Sequence, residues 1–205
     1  NPPRIELSRL TVAQYRNAIA DLGTSFRWRV QPGTERGLKA EYFASRHFAG
    51  DKRVIERIDP GVNFNFGDAA PEADKFDKEE FSVRWKGSLI PRTTGLYEFA
   101  IHTENGARLK VNDNVTPLID VWVRSGSETE FTGSRFLIEG RVYPIELEWF
   151  KFKEPAASVA LFWTSPQGVK ELIPAANLIP EVSPAVMIVE TPFPPDDRSS
   201  GFERG

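Results

Sequence analysis

The sequence contains no cysteine. Without thiols the chain forms no disulfide, no thiolate-bound zinc site and no covalent haem attachment, and it has no cysteine nucleophile. It also lacks any apolar run near the roughly 18 residues that a membrane-spanning helix requires. A hydrophobic core must therefore hold the protein together, and a chain of 205 residues is long enough to form one.

An excess of positive charge is absent as well. The formal net charge is -3 at pH 7, which argues against a nucleic-acid partner because such proteins usually present a basic face. The histidines are His47 and His102 alone. Two imidazoles do not make a zinc site, and they give no evident Ser-His-Asp set. We therefore expect a protein that is not an enzyme.

Two glutamates, Glu146 and Glu148, lie two residues apart in the strand-like stretch YPIELEWF, so their side chains share one face. Paired carboxylates are also the catalytic groups of glycosidases. The opposite face of this strand carries Ile145, Leu147 and Trp149. We therefore interpret the two glutamates as the solvent side of an amphipathic strand.

One helix is evident from the sequence. In LTVAQYRNAIADLG the apolar residues recur three or four apart, Thr11 and Gln14 form a capping box, and Gly23 supplies a stop. We predict an N-terminal α-helix within residues 1–23. Residues 24–36 lack any period and are predicted to be a linker.

Strand patterns dominate residues 37–180. Segments such as FSVRWKGSLI, LYEFAIHT and YPIELEWF alternate or concentrate β-branched and aromatic residues, and turn-forming residues separate them. With no helices between the strands, this pattern predicts an antiparallel β-sandwich or barrel. Residues 181–205 are proline-rich and are predicted to form an extended tail. The predicted fold class is all-β, with one N-terminal helix.

Five stretches in order give residues 37–180 a family resemblance: GLKAEYF, FSVRWKGSLIPRTTGLYEFAIHTENGARLKVND, PLIDVW, GRVYPIELEWF and SVALFWTSPQG. Together they resemble the protective-antigen (PA-fourteen) domain family. The resemblance implies a sandwich of two antiparallel sheets, and a non-catalytic module that binds carbohydrate in several members. It also implies a secreted or periplasmic bacterial protein, whose partners are a glycan and other domains of the same protein.

A second resemblance concerns the two ends of the chain. Residues 4–23 and 191–205 are similar to two neighbouring pieces of a planctomycete-type domain of unknown function. This similarity implies that the sandwich is inserted into a split host domain, and that the sequence is a fragment of a larger protein. Insertions are tolerated at loop tips when the two termini of the inserted domain lie close together.

The candidate site lies in the polar stretch TENGARLKVNDN. Sugar-binding members of the family hold calcium with two adjacent aspartates at the position of Glu104 and Asn105. The resemblance therefore implies these two residues as metal ligands, although one carboxylate in place of two weakens calcium binding. Alternatively, Asn105 and Gly106 form a type I′ hairpin turn with no ligand, and VNDN is a second turn.

Other side chains nearby complete the candidate binding set. Oxygens from Asn112, Asp113 or Asn114 would join the metal or sugar site, and Trp122 would serve as a neighbouring aromatic platform. Asp120 is expected to be structural and to accept hydrogen bonds from turn amides.

Two functions remain open on the sequence alone. One is a carbohydrate-binding module, and the other is a structural or protein-interaction spacer that has lost calcium-dependent sugar binding. Convergence of Glu104 and Asn105 with residues 112–114 on one point would favour the first function.

Overall fold

The computed structural model describes residues 14, 15, 18, 19, 22, 32–123 and 127–186. The chain divides into two compact units, one made of Asn1–Trp28 with Val186–Gly205 and the other of Arg29–Ala185. In the first unit the described positions 14, 15, 18, 19 and 22 are α-helical, and position 186 has no regular secondary structure. The remainder of the predicted helix, and the tail beyond residue 186, lie outside the described residues. The N-terminal helix and the split host domain therefore stay predictions.

The second unit contains two antiparallel sheets, which form a sandwich. The first sheet comprises β1 (Leu38–Phe43), β2 (Arg53–Asp59), β4 (Glu80–Leu89), β6 (Gly106–Val111), β7 (Ile119–Val121), β9 (Tyr143–Phe152) and β12 (Leu178–Ile179). The second sheet comprises β3 (Asn63–Gly67), β5 (Gly95–Thr103), β8 (Glu130–Leu137), β10 (Ala157–Thr164) and β11 (Lys170–Leu172). Short 3-10 helices span Gly50–Lys52 and Ala175–Asn177.

The order of the strands places β9 inside the first sheet. That sheet runs β2-β1-β4-β9-β6-β7, with β12 beside β4, and the second runs β11-β10-β5-β8, with β3 beside β10. The prediction of an all-β antiparallel sandwich is confirmed. None of the helices among the described residues has the length and apolar character that crossing a membrane demands.

Alternation along the strands builds the core. On β9 the side chains of Tyr143, Ile145, Leu147 and Trp149 are buried, while the residues between them point to the opposite face. The same period buries Trp85 on the neighbouring strand β4. The outward-pointing side chains of β4, β6 and β9 form what we call the outer face of the first sheet.

A buried carboxylate ties β1, β2 and β4 together. The Asp59 side chain is only 4% exposed and accepts hydrogen bonds from Tyr42 Oη at 2.7 Å, Trp85 Nε1 at 2.8 Å and Arg57 Nε at 2.7 Å. Burial raises the pKa of Tyr42, and the bond to Asp59 raises it further. Each polar group of this cluster is thus paired, as buried polar groups must be.

The chain enters and leaves the sandwich at neighbouring points. The backbone N–H of Gly37 donates to the Leu178 carbonyl at 3.1 Å. The backbone N–H of Gly33 donates to Glu181 Oε1 at 3.3 Å. Adjacent termini are the geometry that an inserted domain needs. The insertion itself stays a prediction.

Candidate functional site

Residues 104 and 105 carry the chain from one sheet to the other. Strand β5 belongs to the second sheet and β6 to the first, and Gly106 is already the first residue of β6. Neither Asn105 nor Gly106 has a positive φ among the described residues. The predicted type I′ hairpin is therefore wrong, since that turn requires a positive φ at both central positions. We call residues 104–105 the inter-sheet crossing.

Asn105 is held inside the sandwich, with 1% of its surface exposed. Its Nδ2 donates to the Ala156 carbonyl at 3.0 Å, and its Oδ1 accepts from the Ser158 backbone N–H at 3.2 Å. Its own backbone N–H donates to Thr103 Oγ1 at 3.0 Å. The amide of Asn105 thus ties the inter-sheet crossing to the start of β10.

Thr103 extends this network into the core. Its hydroxyl donates to the Ser158 carbonyl at 2.8 Å and accepts from Trp149 Nε1 at 3.0 Å. Sequence patterns did not reveal this network around Thr103, because its other members, Ser158 and Trp149, lie about fifty residues further along the chain.

The residues at the crossing do not fit the calcium ion that the resemblance implied. Calcium takes six to eight oxygen ligands, and both side-chain atoms of Asn105 already bond to backbone groups. Glu104 is exposed and contributes a single carboxylate. The described part of the chain holds no group of three or more aspartate, glutamate or histidine side chains able to bind a metal.

The predicted ligands at residues 112–114 lie far from the crossing. Glu104 and Asn105 precede β6, whereas residues 112–114 follow it. Six strand residues at about 3.3 Å each separate the two groups by roughly 20 Å. The predicted set therefore does not converge on one point.

A tight turn follows β6, as the VNDN pattern predicts. Asn112 adopts a positive φ of 54°, and its backbone N–H donates to the Pro144 carbonyl at 2.8 Å. Asp113 Oδ1 accepts from the backbone N–H groups of Thr116 at 2.9 Å and Val115 at 2.8 Å. These two bonds hold the pKa of Asp113 below its usual value.

Beside this turn the outer face of the first sheet carries a cavity of about 310 Å³. We call it the Glu146 cavity. It is lined by Lys86, Lys110, Asp113, Asn114, Pro144, Ile145, Glu146 and Val182. Small-molecule sites in proteins begin at about 300 Å³. Two of the predicted ligand residues, Asp113 and Asn114, therefore lie at a concave site, although it is not the one expected.

The floor of the Glu146 cavity is a shared ion pair. Glu146 Oε1 accepts from Lys110 Nζ at 2.9 Å, and its Oε2 lies 3.0 Å from Lys86 Nζ. Burial alone would raise the pKa of Glu146, but the bonds from the two lysines outweigh it and the pKa is lowered. The cavity thus presents ammonium donors and carboxylate and amide acceptors beside the apolar Pro144 and Val182.

Trp122 lies at the other end of the same face, in an aromatic patch that we define as Phe43, Phe48, Trp122 and Phe150. The ring centroids are 4.5 Å apart for Trp122 and Phe150, 5.9 Å for Phe48 and Trp122, and 5.4 Å for Phe43 and Phe48. Phe43 is buried and the other three rings are half-buried.

Gly106 makes room for the aromatic patch. A Cβ atom at this position would overlap the Phe150 ring and would lie 2.9 Å from the Trp122 carbonyl oxygen. The glycine that reads as a turn signal is thus required by close packing instead.

Asp120 orients the tryptophan. Its Oδ1 accepts from the Trp122 backbone N–H at 3.1 Å, and its Oδ2 accepts from Arg108 Nε at 3.1 Å. The Arg108 guanidinium lies 5.0 Å from the centre of the Trp122 ring. Asp120 therefore acts on Trp122 through a turn amide and through a stacked cation.

The family model of the PA14 domain matches residues 34–177, which form the two-sheet sandwich. The chain belongs to the PA14 domain family. This module is 38% identical over 155 residues to "Anti-sigma-I factor RsgI3" of Acetivibrio thermocellus, an alignment that covers 76% of this chain and 23% of the relative.

Solved structures share the same fold. An "anti-sigma factor domain-containing protein" superposes with a TM-score of 0.65 at 34% identity, covering 79% of this chain and 50% of that one. A "PA14 sugar-binding domain from RTX adhesin" superposes with a TM-score of 0.56 at 17% identity, covering 72% and 99%. The chain thus spans a quarter to a half of the length of the two anti-sigma relatives.

Proposed function

We propose that the sandwich is a non-catalytic carbohydrate-binding module of a larger, secreted or periplasmic bacterial protein, and that it binds sugar without calcium. The observation that carries this proposal is the Glu146 cavity, where Lys86 and Lys110 meet Glu146 beside apolar walls. A glycan is then the external partner, and other domains of the same protein are the internal ones.

The chemistry of the Glu146 cavity suits a neutral polyhydroxyl compound. Each sugar hydroxyl both donates and accepts a hydrogen bond, and the cavity offers donors from two lysines and acceptors from Glu146 and Asn114. A small anion fits less well, because the lining carries two carboxylates, Glu146 and Asp113, which balance the charges of Lys86 and Lys110. Pro144 and Val182 provide an apolar surface for the C–H groups of a sugar ring.

PA14 neighbours support a glycan as the first ligand class to test. One of them is titled a sugar-binding domain from an adhesin. Another is the A domain of an epithelial adhesin from Candida glabrata in complex with Galβ1-3GlcNAc, with a TM-score of 0.56 at 11% identity.

A glycan array probed with the purified chain in excess chelator tests the proposal, followed by calorimetric titration of the best ligand. We expect binding in chelator, and Lys86→Met should weaken it about tenfold, since a hydrogen bond to a charged group is worth about 1.5 kcal/mol or more. Lys39→Met is the matched control. Lys39 is the register partner of Lys86 on β1, but it pairs with Glu56 and does not line the cavity.

Two results would contradict the proposal. Binding that disappears in chelator would show that calcium is required after all. Unchanged affinity in the Lys86→Met variant would show that the Glu146 cavity is not the site.

A structural or protein-interaction spacer is the second candidate function. It is favoured by the inter-sheet crossing, where Asn105 braces the fold with the side chain that would otherwise face a ligand. The same array separates the two candidates, because a spacer would retain no glycan at any concentration tested.

A further inference from the structure

Strand β9 aligns three different groups along the outer face of the first sheet. Glu146, Glu148 and Phe150 alternate with the buried side chains of the strand and all point outward. At about 3.4 Å per residue, roughly 14 Å separates Glu146 from Phe150. The Glu146 cavity and the aromatic patch are therefore the two ends of one continuous strip of surface.

Glu148 occupies the middle of this strip without a partner. It is in register with Arg84 on β4 and with Arg108 on β6. Arg84 bonds instead to Glu41 at 2.8 Å, and Arg108 to Asp120 at 3.1 Å. Within the described residues the half-buried Glu148 carboxylate has no hydrogen bond and no ion pair. Its oxygens remain open acceptors.

The charges along the strip cancel one another. Lys86 and Lys110 share the single carboxylate of Glu146, which leaves one excess positive charge. The Glu148 carboxylate, which has no partner within the described residues, balances that charge, and the two arginines are paired with Glu41 on β1 and Asp120 on β7. A polyanion approaching the strip would therefore find no net positive charge to attract it. A neutral chain of hydroxyl groups would find an acceptor in Glu148 and spare N–H donors on its neighbours.

The aromatic patch completes the match at the far end. Trp122 and Phe150 are half-buried rings, and the C–H groups of a sugar ring can pack against the part of them that remains accessible. Arg108, stacked on Trp122, brings donors to the edge of the same surface.

We infer that the ligand is an extended, neutral polysaccharide chain that lies along β9 from the Glu146 cavity, over Glu148, to the aromatic patch. This inference rests on the proposed function and adds the class of glycan. The module therefore binds several linked sugar rings at once, and Glu148 accepts hydrogen bonds from the central ring.

Calorimetric titration with oligosaccharides of increasing length tests this inference on the 205-residue chain. The probes are the mono- to hexasaccharides of glucose, xylose and mannose, with hexagalacturonate as the acidic comparison. We expect affinity to rise with length in one neutral series. Glu148→Gln and Trp122→Ala should each weaken hexasaccharide binding about tenfold to a hundredfold, with little effect on the monosaccharide.

Matched controls lie on the outer face of the second sheet. Glu98→Gln changes an exposed glutamate of β5, and Phe162→Ala removes a half-buried ring of β10. Both should leave the titrations unchanged. Glu148→Gln keeps the size and shape of the side chain, so it remains informative even if Trp122→Ala lowers the melting temperature.

Several results would overturn the inference. If the affinity did not depend on oligosaccharide length, but Lys86→Met still weakened binding, the proposed sugar site would stand and the extended ligand along β9 would be refuted. Tighter binding of hexagalacturonate than of every neutral hexasaccharide would refute the neutral class. Absence of binding at all lengths would remove the proposed function too. Capture of a polypeptide by the strip, lost in Glu148→Gln, would identify a protein-docking surface instead.

Discussion

Replacing Asn105 with aspartate separates two explanations of the inter-sheet crossing. If the position were a weakened calcium site, Asn105→Asp would restore the second carboxylate and improve metal binding. The contacts of Asn105 predict the opposite. Aspartate cannot donate to the Ala156 carbonyl, now 3.0 Å from Nδ2, and its charge would be buried where asparagine is only 1% exposed.

The magnitude follows from these contacts. Leaving the Ala156 carbonyl unsatisfied costs about 1–3 kcal/mol, and burying an unpaired carboxylate brings the total to about 3–5 kcal/mol. A loss of 1 kcal/mol lowers the melting temperature of a protein of this size by about 2–4 °C. We therefore expect Asn105→Asp to melt at least about 6 °C below the unmodified chain, in calcium and in chelator alike.

Differential scanning calorimetry with millimolar calcium, and again with excess chelator, measures this effect. Asn63→Asp, an exposed asparagine-to-aspartate change on β3, is the control and should melt within about a degree of the unmodified chain. The structural role of Asn105 would be refuted if the Asn105→Asp variant were as stable as the unmodified chain and gained stability from calcium.

Three further predictions concern other parts of the molecule. Gly106→Ala should destabilise by about 1–3 kcal/mol through overpacking and should alter the fluorescence of Trp122; an unchanged spectrum would contradict the packing role. The pKa of Glu146 is lowered in the folded state, so this carboxylate stabilises the fold at pH values above its ordinary pKa of 4.5. That stabilisation is lost as the pH falls through the folded-state pKa. Denaturant titrations of the Glu146→Gln variant at several pH values should therefore lack this part of the acid dependence. Residues 32–185 alone should unfold cooperatively, because the strands and their core lie within them; an unfolded fragment would exclude an autonomous inserted domain.

The fold was predictable because its signal is local. Alternation of buried and outward side chains on β9 predicted both the core residues and the outward position of Glu146 and Glu148. The same is true of the turn at Asp113, where an acidic side chain bonds to the next backbone amides.

The site was not predictable in the same way, because its signal is non-local. Lys86, Lys110 and Glu146 come together only through the pairing of β4 and β6 with β9. The Asn-Gly pair reads equally well as a hairpin or as a crossing between sheets. The packing of Phe150 against Gly106 distinguishes the crossing from a hairpin, and no local sequence pattern reveals that packing.

The identity of residue 105 supports placing the proposed ligand site on the outer face rather than at the crossing. An amide carries a donor and an acceptor, so Asn105 can bond to the Ala156 carbonyl and to the Ser158 N–H at once. A carboxylate can accept but not donate, so it would satisfy only the second group. The chemistry that makes Asn105 a good brace between β5, β6 and β10 is therefore what makes it a poor calcium ligand. Side chains on the outer face of the first sheet are under no such constraint, since the core does not need Glu148 or Trp122, and a binding surface can form there without weakening the fold.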